Sequence, residues 1–299
     1  MRIAISGATG LIGKTLKDHF LKNGHEVNEI SRHRKLFNNK HTILLDLNKN
    51  YVDAHALEGH DIIIHLAGAN ISSKRWSKAY KKEILESRVK STRILVHAIK
   101  DMNRRPKIFL CASAVGYYGN HDPAVPIDER NGGGHGFLAQ VCQEWENASA
   151  EAILYGVRLI HMRFGVVLSK KGGALTKMLP VFYFGLGGRL GSGRQPMSWI
   201  MLDEIPNIVE HFILNEQISG PVNIVAPNAV TNREFTKALG KAIHRPAFLP
   251  VPGFMIKLLM GQMGKELLLE GAKVYPRVLI NSGYTFKHPT IEEALKRVN

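Results

Sequence analysis

The sequence predicts an α/β fold in which a doubly wound parallel sheet is joined to a smaller, mixed α/β lobe towards the C-terminus. Short apolar runs alternate with stretches of helical periodicity up to about residue 165, a pattern typical of a parallel sheet with helices on both faces. A glycine-rich turn separates the first apolar run from the first amphipathic stretch. The alternation stops after residue 165, which predicts two units at residues 1–165 and 166–299.

Six strands and three helices are predicted in the first unit. Right-handed crossovers between parallel strands would place the glycine turn at the carboxyl edge of their sheet. The strands are residues 2–6, 26–31, 42–45, 61–66, 107–113 and 156–164, and the helices are residues 11–23, 77–102 and 136–154.

The second unit has a less regular pattern. Residues 185–193 include five glycines, which favours a mobile loop over an ordered element. Thr231 is a suitable helix N-cap, and Glu234 completes a capping box three residues later. The predicted elements are a strand at residues 221–225 and helices at residues 202–215, 231–242 and 290–298.

Composition indicates a globular protein, and because the first residues enter a predicted strand without a basic leader and apolar run, no secretory signal is expected. Of the 299 residues, 44% are hydrophobic, which is enough to fill a sizeable core. Cys111 and Cys142 lie in apolar or helical segments, so we expect reduced, structural thiols and a cytoplasmic location. No run of about 18 apolar residues occurs. Residues 178–188 and 254–271 fit core or interface segments better than membrane spans, so no membrane partner is expected.

The formal net charge of +15 raises the question of nucleic acid binding. The Lys and Arg residues are spread along the chain, however. The densest groups, residues 32–35 and 74–93, are explained by a phosphorylated cofactor or a solvated helix. Nucleic acid is therefore a minor alternative, which predicts binding that falls steeply with salt. No metal site is predicted.

The glycine turn predicts a Rossmann-type dinucleotide site. A GxxGxxG spacing alone is a weak signal in a chain with 28 glycines, but here it lies between a strand and a helix. That context brings backbone N–H groups and a helix N-terminus against a pyrophosphate. The candidate cofactor-binding residues are Gly7, Thr9, Gly10, Leu11, Ile12 and Gly13.

The end of the second strand favours NADP (NADPH) over NAD. An acid at this place binds the ribose 2′-OH of NAD, whereas a cation accepts the 2′-phosphate of NADP. Ser31 and Arg32 occupy the place of the acid, and a guanidinium and a hydroxyl suit a phosphate. The alternative interpretation is a solvated basic turn.

Two further strand ends fit a bound nucleotide. Asp46 follows the third strand, where a carboxylate can meet the adenine, although it could equally be an ordinary turn residue. Leu66, Ala67 and Gly68 end the fourth strand, and the small residues among them allow backbone to approach a cofactor closely.

These segments together resemble the extended short-chain dehydrogenase/reductase superfamily, and more closely its atypical, epimerase-like branch. That branch combines an NAD-dependent epimerase/dehydratase core with a small C-terminal domain of unknown function, which corresponds here to residues 235–299. The resemblance implies that Glu83, Arg88 and Val166 contact the cofactor; for Glu83 and Arg88 a charged helix face is the alternative. The matching motifs are SGATGLIG, HLAGANI, CASAVGYYG, RFGVVLS, GLGGRLGSGRQPMSWI, HRPAFLPVP and LLEGAKVYPRVL.

The chemistry usual in this superfamily needs a Ser, a Tyr and a Lys four residues after the Tyr. Ser113 ends the fifth strand, but residues 136–146 supply neither the Tyr nor the Lys in any register. Tyr117 and Tyr118 are the nearest hydroxyls, and the resemblance implies that they position substrate more than they exchange a proton.

Two residues are candidates for substrate contact. Arg194 lies in a loop that resembles the one closing over nucleotide sugars in related proteins, where it could pair with a phosphate. Trp199 could form an aromatic wall, or it could pack the two lobes together.

Two functional hypotheses follow. The first is an NADP-dependent, epimerase-like oxidoreductase acting on a small molecule such as a nucleotide sugar. The second is a non-catalytic NADP-binding sensor or regulatory protein, in which cofactor occupancy sets the conformation of the C-terminal lobe. The resemblance also implies a homodimer formed through the helices at residues 77–102 and 136–154.

Overall fold

A computed structural model describes residues 1–32 and 42–296. Within these residues the strands are β1 Arg2–Ser6, β2 Glu26–Ser31, β3 Thr42–Asp46, β4 Tyr51–Val52, β5 Ile62–His65, β6 Ile108–Ala114, β7 Pro126–Ile127, β8 Arg158–Phe164, β9 Val166–Leu168, β10 Pro196–Met197, β11 Trp199–Met201, β12 Gly220–Ile224, β13 Val230–Thr231 and β14 Lys273–Val274. The α-helices are α1 Leu11–Lys22, α2 Ala54–Leu57, α3 Lys78–Asp101, α4 Phe137–Ala150, α5 Ala174–Tyr183, α6 Ile205–Leu214, α7 Asn232–Ala242, α8 Gly253–Gly264, α9 Arg277–Asn281 and α10 Ile291–Leu295.

The main sheet has eight strands in the order β12-β8-β6-β5-β1-β2-β3-β4, and every pair except β3–β4 is parallel. This confirms the predicted doubly wound α/β fold and its six strands. The chain proceeds outward from β1 in one direction through β2 and β3, and in the other through β5, β6 and β8. In sheets of this kind a ligand binds outside the carboxyl ends of the strands at the switch point, which here lies between β1 and β5.

Helices cover the two faces of the sheet. α1 packs with α6 and α3 packs with α4. Because the crossovers run in opposite directions from β1, right-handed connections place these two pairs on opposite faces. The central strands are buried on both sides, which explains their continuous apolar runs, and the fully buried side chains include Ile3, Ile5, Ile63, Phe109 and Ile160.

The part of the chain after residue 165 contributes to this layer as well. β12 extends the sheet beyond β8, and α6 packs against α1, so the predicted boundary at residue 165 runs through the sheet layer. Three two-stranded pairs, β9–β11, β10–β13 and β7–β14, build the remaining lobe. A second apolar cluster lies there, with Trp199, Phe235 and Leu239 at its centre.

The predicted elements of the second unit are present with small shifts in their bounds. The capping box of Thr231 and Glu234 starts α7 as predicted. Residues 185–193 are irregular but are held by backbone hydrogen bonds to residues 249–251, so this segment is anchored along one side. The helices α5 and α8 lie in the two segments predicted as core or interface. No helix among the described residues is long and apolar enough to cross a membrane.

Candidate functional site

The glycine turn connects β1 to α1 at the carboxyl edge of the sheet. Gly7 has a φ of +71°, a conformation that side chains rarely adopt, and the N–H of Gly10 donates to its carbonyl at 2.9 Å. A Cβ at Gly13 would lie 2.2 Å from the same carbonyl oxygen. Glycine is therefore required where the turn reverses and where the helix approaches it.

The start of α1 presents backbone N–H groups to this edge. The first N–H groups of an α-helix have no partner inside the helix. Gly10 is the N-cap residue and has no side chain to accept from them, and the first turn contains no acidic residue. Thr9 is exposed beside the turn, and Leu11 contacts Gly172 and Gly173 across it. The arrangement suits an anion, because both the free donors and the helix dipole favour negative charge.

The end of β2 lies one strand away from this turn. Ile30 pairs with Ser6, so Ser31 and the exposed Arg32 come next to the glycine turn. Residues 33–41 lie outside the described residues, and the remainder of the basic cluster at residues 32–35 with them. Oδ1 of Asp46 accepts hydrogen bonds from the backbone N–H groups of Asn48 and Lys49, which fits a turn residue; contact with the adenine stays a prediction.

A buried polar chain fixes the ends of β1 and β5. The Ser6 hydroxyl accepts from the N–H groups of Leu66 and Ala67 at 3.1 and 3.3 Å, and therefore donates its own proton to Nδ1 of His65 at 2.5 Å. Nε2 of His65 donates in turn to the Ser91 hydroxyl at 3.1 Å, which donates to a carbonyl of its own helix. Burial, followed by the charge of Arg88, lowers the pKa of His65 to about 3, so the ring is neutral.

Sequence reasoning did not assign a role to Ser6, His65 or Ser91. The signal was present, since polar side chains at the ends of two buried strands need partners. The partner of His65 on α3, Ser91, is 26 residues away in the chain, and only the packing of α3 on the sheet brings the two together.

Arg88 extends from α3 to the same strand end. A Cβ on Gly68 would lie 2.8 Å from its Cζ, its guanidinium lies over the Trp145 ring at 5.0 Å, and it donates to the carbonyl of Ile84. No ion pair to Arg88 occurs within residues 1–32 and 42–296. Burial lowers its pKa. A partly buried cation without a carboxylate is an unusual feature that fits contact with a bound anion.

The other two residues implied by the resemblance have plainer surroundings. Glu83 is exposed on α3, one turn before Arg88. Val166 begins β9, is half-buried and donates its N–H to the carbonyl of Ser198.

Ser113 belongs to a buried charge network. It is 3% exposed, and its hydroxyl donates to Oε1 of Glu146 at 2.6 Å. Glu146 accepts two hydrogen bonds of 2.8 Å from Arg163, which also donates to the Tyr118 hydroxyl at 2.8 Å. The single proton of Ser113 is thus committed to a carboxylate.

The two predicted tyrosines face different surroundings. Tyr118 is fully buried and donates to Oδ1 of Asn223 at 2.8 Å, and burial raises its pKa to about 12. These contacts oppose both substrate positioning, the role that the resemblance implies for Tyr118, and proton exchange with the substrate. Tyr117 is half-buried, and its ring lies 3.5 Å from Cζ of Arg163, a cation–π contact that fixes the ring. Of the two, Tyr117 keeps exposed surface.

The helix that should carry the Tyr–Lys pair is α4. A Cβ on Gly116 would lie 3.3 Å from Leu138 and 3.8 Å from the sulfur of Cys142. Those two residues, four apart on one face, point to the end of β6. Cys142 is buried, and burial raises its pKa to about 11, so it is a neutral thiol. Glu266 accepts from the N–H groups of Phe137 and Leu138 and so caps the start of this helix.

The substrate predictions for Trp199 and Arg194 have different outcomes. Trp199 is fully buried and donates its indole N–H to the carbonyl of Asn228. Trp199 packs in the apolar cluster of the C-terminal lobe, whereas the two predicted roles were an aromatic wall for the substrate and packing between the two lobes. Its complete burial opposes the aromatic wall. Arg194 is exposed, with its backbone N–H bonded to the Ser192 hydroxyl.

Comparison with known proteins identifies related sequences over nearly the whole chain. The model of the NAD dependent epimerase/dehydratase family matches residues 3–182, and the model of a domain of unknown function (DUF1731) matches residues 251–298. An epimerase family protein of Mycobacterium bovis is 41% identical over 293 residues, which are 98% of this chain and 96% of that protein.

Two solved structures extend the likeness to three dimensions. The human epimerase family protein SDR39U1 with NADPH has a TM-score of 0.89 at 33% identity and covers 100% of this chain and 99% of its own. A nucleoside-diphosphate sugar epimerase from Corynebacterium glutamicum has a TM-score of 0.80 at 31% identity and covers 99% of this chain and 57% of its own.

Proposed function

Because this chain belongs to the NAD dependent epimerase/dehydratase family, we propose that it binds NADPH at the carboxyl edge of the main sheet and exchanges hydride with a small-molecule substrate. The observation that carries the proposal is the start of α1, which has no capping side chain and follows the turn at Gly7, next to Ser31 and Arg32. The relative solved with NADPH, 33% identical over the whole chain, supports the choice of cofactor.

Different residues of the chain bind different parts of the cofactor in this proposal. The turn of Gly7, Gly10 and Gly13 and the first N–H groups of α1 take the diphosphate, because they are free donors at the positive end of a helix. Ser31 and Arg32 take the 2′-phosphate. The backbone of residues 66–68 lines the bottom of the proposed cofactor site, where the N–H groups of Leu66 and Ala67 donate to the Ser6 hydroxyl. NADPH supplies the hydride when it is bound.

Proton transfer to the substrate cannot use the Tyr and Lys that are usual in the superfamily, so other groups are needed. Leu138 and Cys142 cannot provide an acidic phenol or a cationic amine. Arg88 holds a fixed positive charge against Gly68, and we assign it to an anionic group of the cofactor and not to the proton step. Tyr117 is the hydroxyl that we assign to positioning the substrate or giving it a proton.

The substrate class that we propose is a small phosphorylated molecule, such as a nucleotide sugar. Arg194 is exposed on the loop beside the cleft, where a guanidinium can pair with a phosphate. The likeness to a protein named as a nucleoside-diphosphate sugar epimerase supports this class. A cytoplasmic location and a homodimer formed through α3 and α4 stay predictions.

A second candidate function is a non-catalytic NADPH sensor. The observation that favours it is the pair of Leu138 and Cys142 on the face where a proton relay would be, together with the bond from Ser113 to Glu146. Glu266 of the C-terminal lobe holds the start of α4, so a ligand that shifts α4 would also shift that lobe.

Calorimetric titration with NADPH and NADH tests cofactor binding. We expect micromolar or tighter binding of NADPH, weaker binding of NADH, and loss of the preference in Arg32→Glu. The matched control is Arg104→Glu, which makes the same charge change just before β6, at the amino edge of the sheet, where binding should be unaffected. Absence of binding by both nucleotides would contradict both candidate functions.

Turnover separates the enzyme from the sensor. NADPH oxidation is followed by its absorbance with a panel of nucleotide sugars and simple carbonyl compounds. The enzyme hypothesis expects turnover of at least one compound, lost in Ser113→Ala or Tyr117→Phe and kept in Tyr155→Phe, a tyrosine at the amino edge of β8. Tight NADPH binding with no turnover of any compound favours the sensor.

A further inference from the structure

The C-terminal lobe exposes a concentrated apolar surface. Large apolar side chains are usually exposed singly, and a contiguous group marks a binding surface. Here they come from the residues that follow α5, from the first half and the middle of α8, and from the segment that leads into α8. The six most exposed, which we call the apolar surface, are Phe184 (81%), Leu186 (57%), Phe248 (72%), Phe254 (71%), Leu258 (73%) and Leu259 (68%).

Two chain segments form this surface side by side. The N–H of Leu249 donates to Gly187 at 3.2 Å, and the N–H of Val251 donates to Arg189 at 2.9 Å. A Cβ on Gly185 would lie 3.5 Å from the Pro246 ring, so these two residues are also close. The residues around positions 184–186 and 246–251 are therefore neighbours, and α8 begins directly after them.

α8 adds an apolar face that turns away from the protein. Phe254 and Leu258 are four residues apart and lie on one face, with Leu259 beside them, whereas Ile256 is buried on the side that packs inward. This helix is apolar on both sides, a pattern expected for a helix that is covered on both sides. Nothing in the described chain covers the outer face.

The charged residues within the two segments that form the apolar surface are all cations. Residues 170–195 and residues 236–265, which contain both segments, each have five Lys or Arg residues and no Asp or Glu. Lys177, Arg245 and Lys257 are exposed among them. Exposed apolar side chains in segments with cations and no acidic residues match the boundary of a bilayer with anionic lipids, in which acyl chains contact the apolar side chains and headgroups contact the cations.

We propose that the apolar surface docks this protein onto a membrane that contains anionic lipid, as a peripheral contact. This inference stands apart from the proposed function and departs from the expectation of no membrane partner. A second copy fits less well, because a twofold contact brings the same patch against itself and so sets cations against cations. A nucleic acid would use the cations but not the exposed phenylalanines and leucines.

Sedimentation with lipid vesicles tests the proposal. Vesicles of phosphatidylcholine alone are compared with vesicles that also contain phosphatidylglycerol. We expect the protein to sediment with the anionic vesicles and to stay in solution with the neutral ones. The variant Leu258→Ser/Leu259→Ser should weaken partition into the vesicles by about tenfold or more, because each leucine side chain would be buried in the membrane interface. The substitutions do not change the charge of the protein.

The controls match the variants in exposure. Leu154→Ser and Leu214→Ser remove leucines that are 80% and 84% exposed in other parts of the protein and should bind vesicles like the unmodified protein. NADPH binding and circular dichroism confirm that each variant is folded. Lys257→Glu should also weaken partition, whereas Lys82→Glu on α3 should have a smaller effect.

Three outcomes would overturn the proposal. Equal partition of the double leucine variant would mean that only the overall positive charge attracts the vesicles. Failure of the unmodified protein to bind anionic vesicles would remove the membrane as occupant. A dimer in analytical ultracentrifugation that dissociates in Leu258→Ser/Leu259→Ser would assign the surface to a second copy.

Discussion

The carboxylate of Glu146 and the guanidinium of Arg163 form two hydrogen bonds of 2.8 Å inside the protein. Arg163 in β8 is the register partner of Ser113 in β6, and Glu146 reaches both from α4. The pair therefore joins two strands and a helix at the edge where we propose that the cofactor binds. It also explains why the Ser113 hydroxyl has a fixed direction.

Removing one partner of this pair should lower the free energy of unfolding strongly, whereas replacing both partners by apolar residues should lower it much less. Glu146→Leu leaves the Arg163 charge buried without its partner, and we expect a loss of about 3–5 kcal/mol in the free energy of unfolding. Arg163→Met should lose a similar amount. The double variant should lose far less than the two single losses together. Urea denaturation of the four proteins measures the coupling, and additive losses would contradict the assigned pair.

His65 should make the stability depend on pH in the acid range. Its pKa is about 3 in the folded protein and 6.5 for an unperturbed histidine. Between these values the unfolded chain binds a proton that the folded protein does not take up, so stability is complete above pH 6.5 and falls as the pH is lowered. The loss attributable to His65 should be about 3 kcal/mol between pH 7 and pH 4.

The measurement is the free energy of unfolding across this range for the unmodified protein and for His65→Gln. Burial also lowers the pKa of His60 and of His161, so the difference between the two curves is the quantity that matters. His97→Gln, which removes an exposed histidine of α3, is the matched control for the substitution. If the two curves for unmodified protein and His65→Gln run parallel, the neutral, buried state of His65 is wrong.

The sequence predicted the sheet well because the signal for each strand is local. An apolar run and a turn suffice to locate β1 or β8, and the Thr231–Glu234 capping box locates the start of α7. α5 and α8 were harder, since Pro180 and Gly261 interrupt their patterns. That β12 joins the main sheet depends on a pairing with β8 that no local pattern shows.

In the candidate site, too, only features formed by residues close together in the chain could be predicted. The glycine turn and Ser31–Arg32 are consecutive residues, so their chemistry could be predicted. The contact of Ser113 with Glu146 spans 33 residues and that of Tyr118 with Asn223 spans 105. The direction of the Trp199 side chain depends on which face of β11 packs inward. Spacing along the chain carries no information on these choices.

The approach of α1 to the glycine turn makes Gly13 sensitive to a single methyl group. In Gly13→Ala the new Cβ would lie 2.2 Å from the Gly7 carbonyl, so the turn and the start of α1 must separate. We expect NADPH affinity to fall by at least about tenfold and stability by about 1–3 kcal/mol. Gly132→Ala is the control, because its Cβ would point into open space. Unchanged NADPH affinity in folded Gly13→Ala would argue against a diphosphate at this turn.

Replacing Arg88 should weaken NADPH binding but should not lower the stability of the free protein. It has no ion pair within the described chain, and burial disfavours its charge, so its guanidinium adds little to the stability of the free protein. Arg88→Met keeps an unbranched side chain against Trp145 without the charge. We expect a free energy of unfolding that is unchanged or higher by about 1 kcal/mol, because residues at binding sites are often kept at a cost in stability.

NADPH affinity should fall at least about tenfold in the same variant if Arg88 faces a bound anion. Arg158 provides the contrast: it is also partly buried, but it donates to the carbonyls of Phe212, Asn215 and Ile218 at the other edge of the sheet. Arg158→Met should therefore lose stability and keep NADPH affinity. Urea denaturation and calorimetric titration of both variants give the two quantities, and a loss of stability in Arg88→Met with unchanged NADPH affinity would make Arg88 a structural residue.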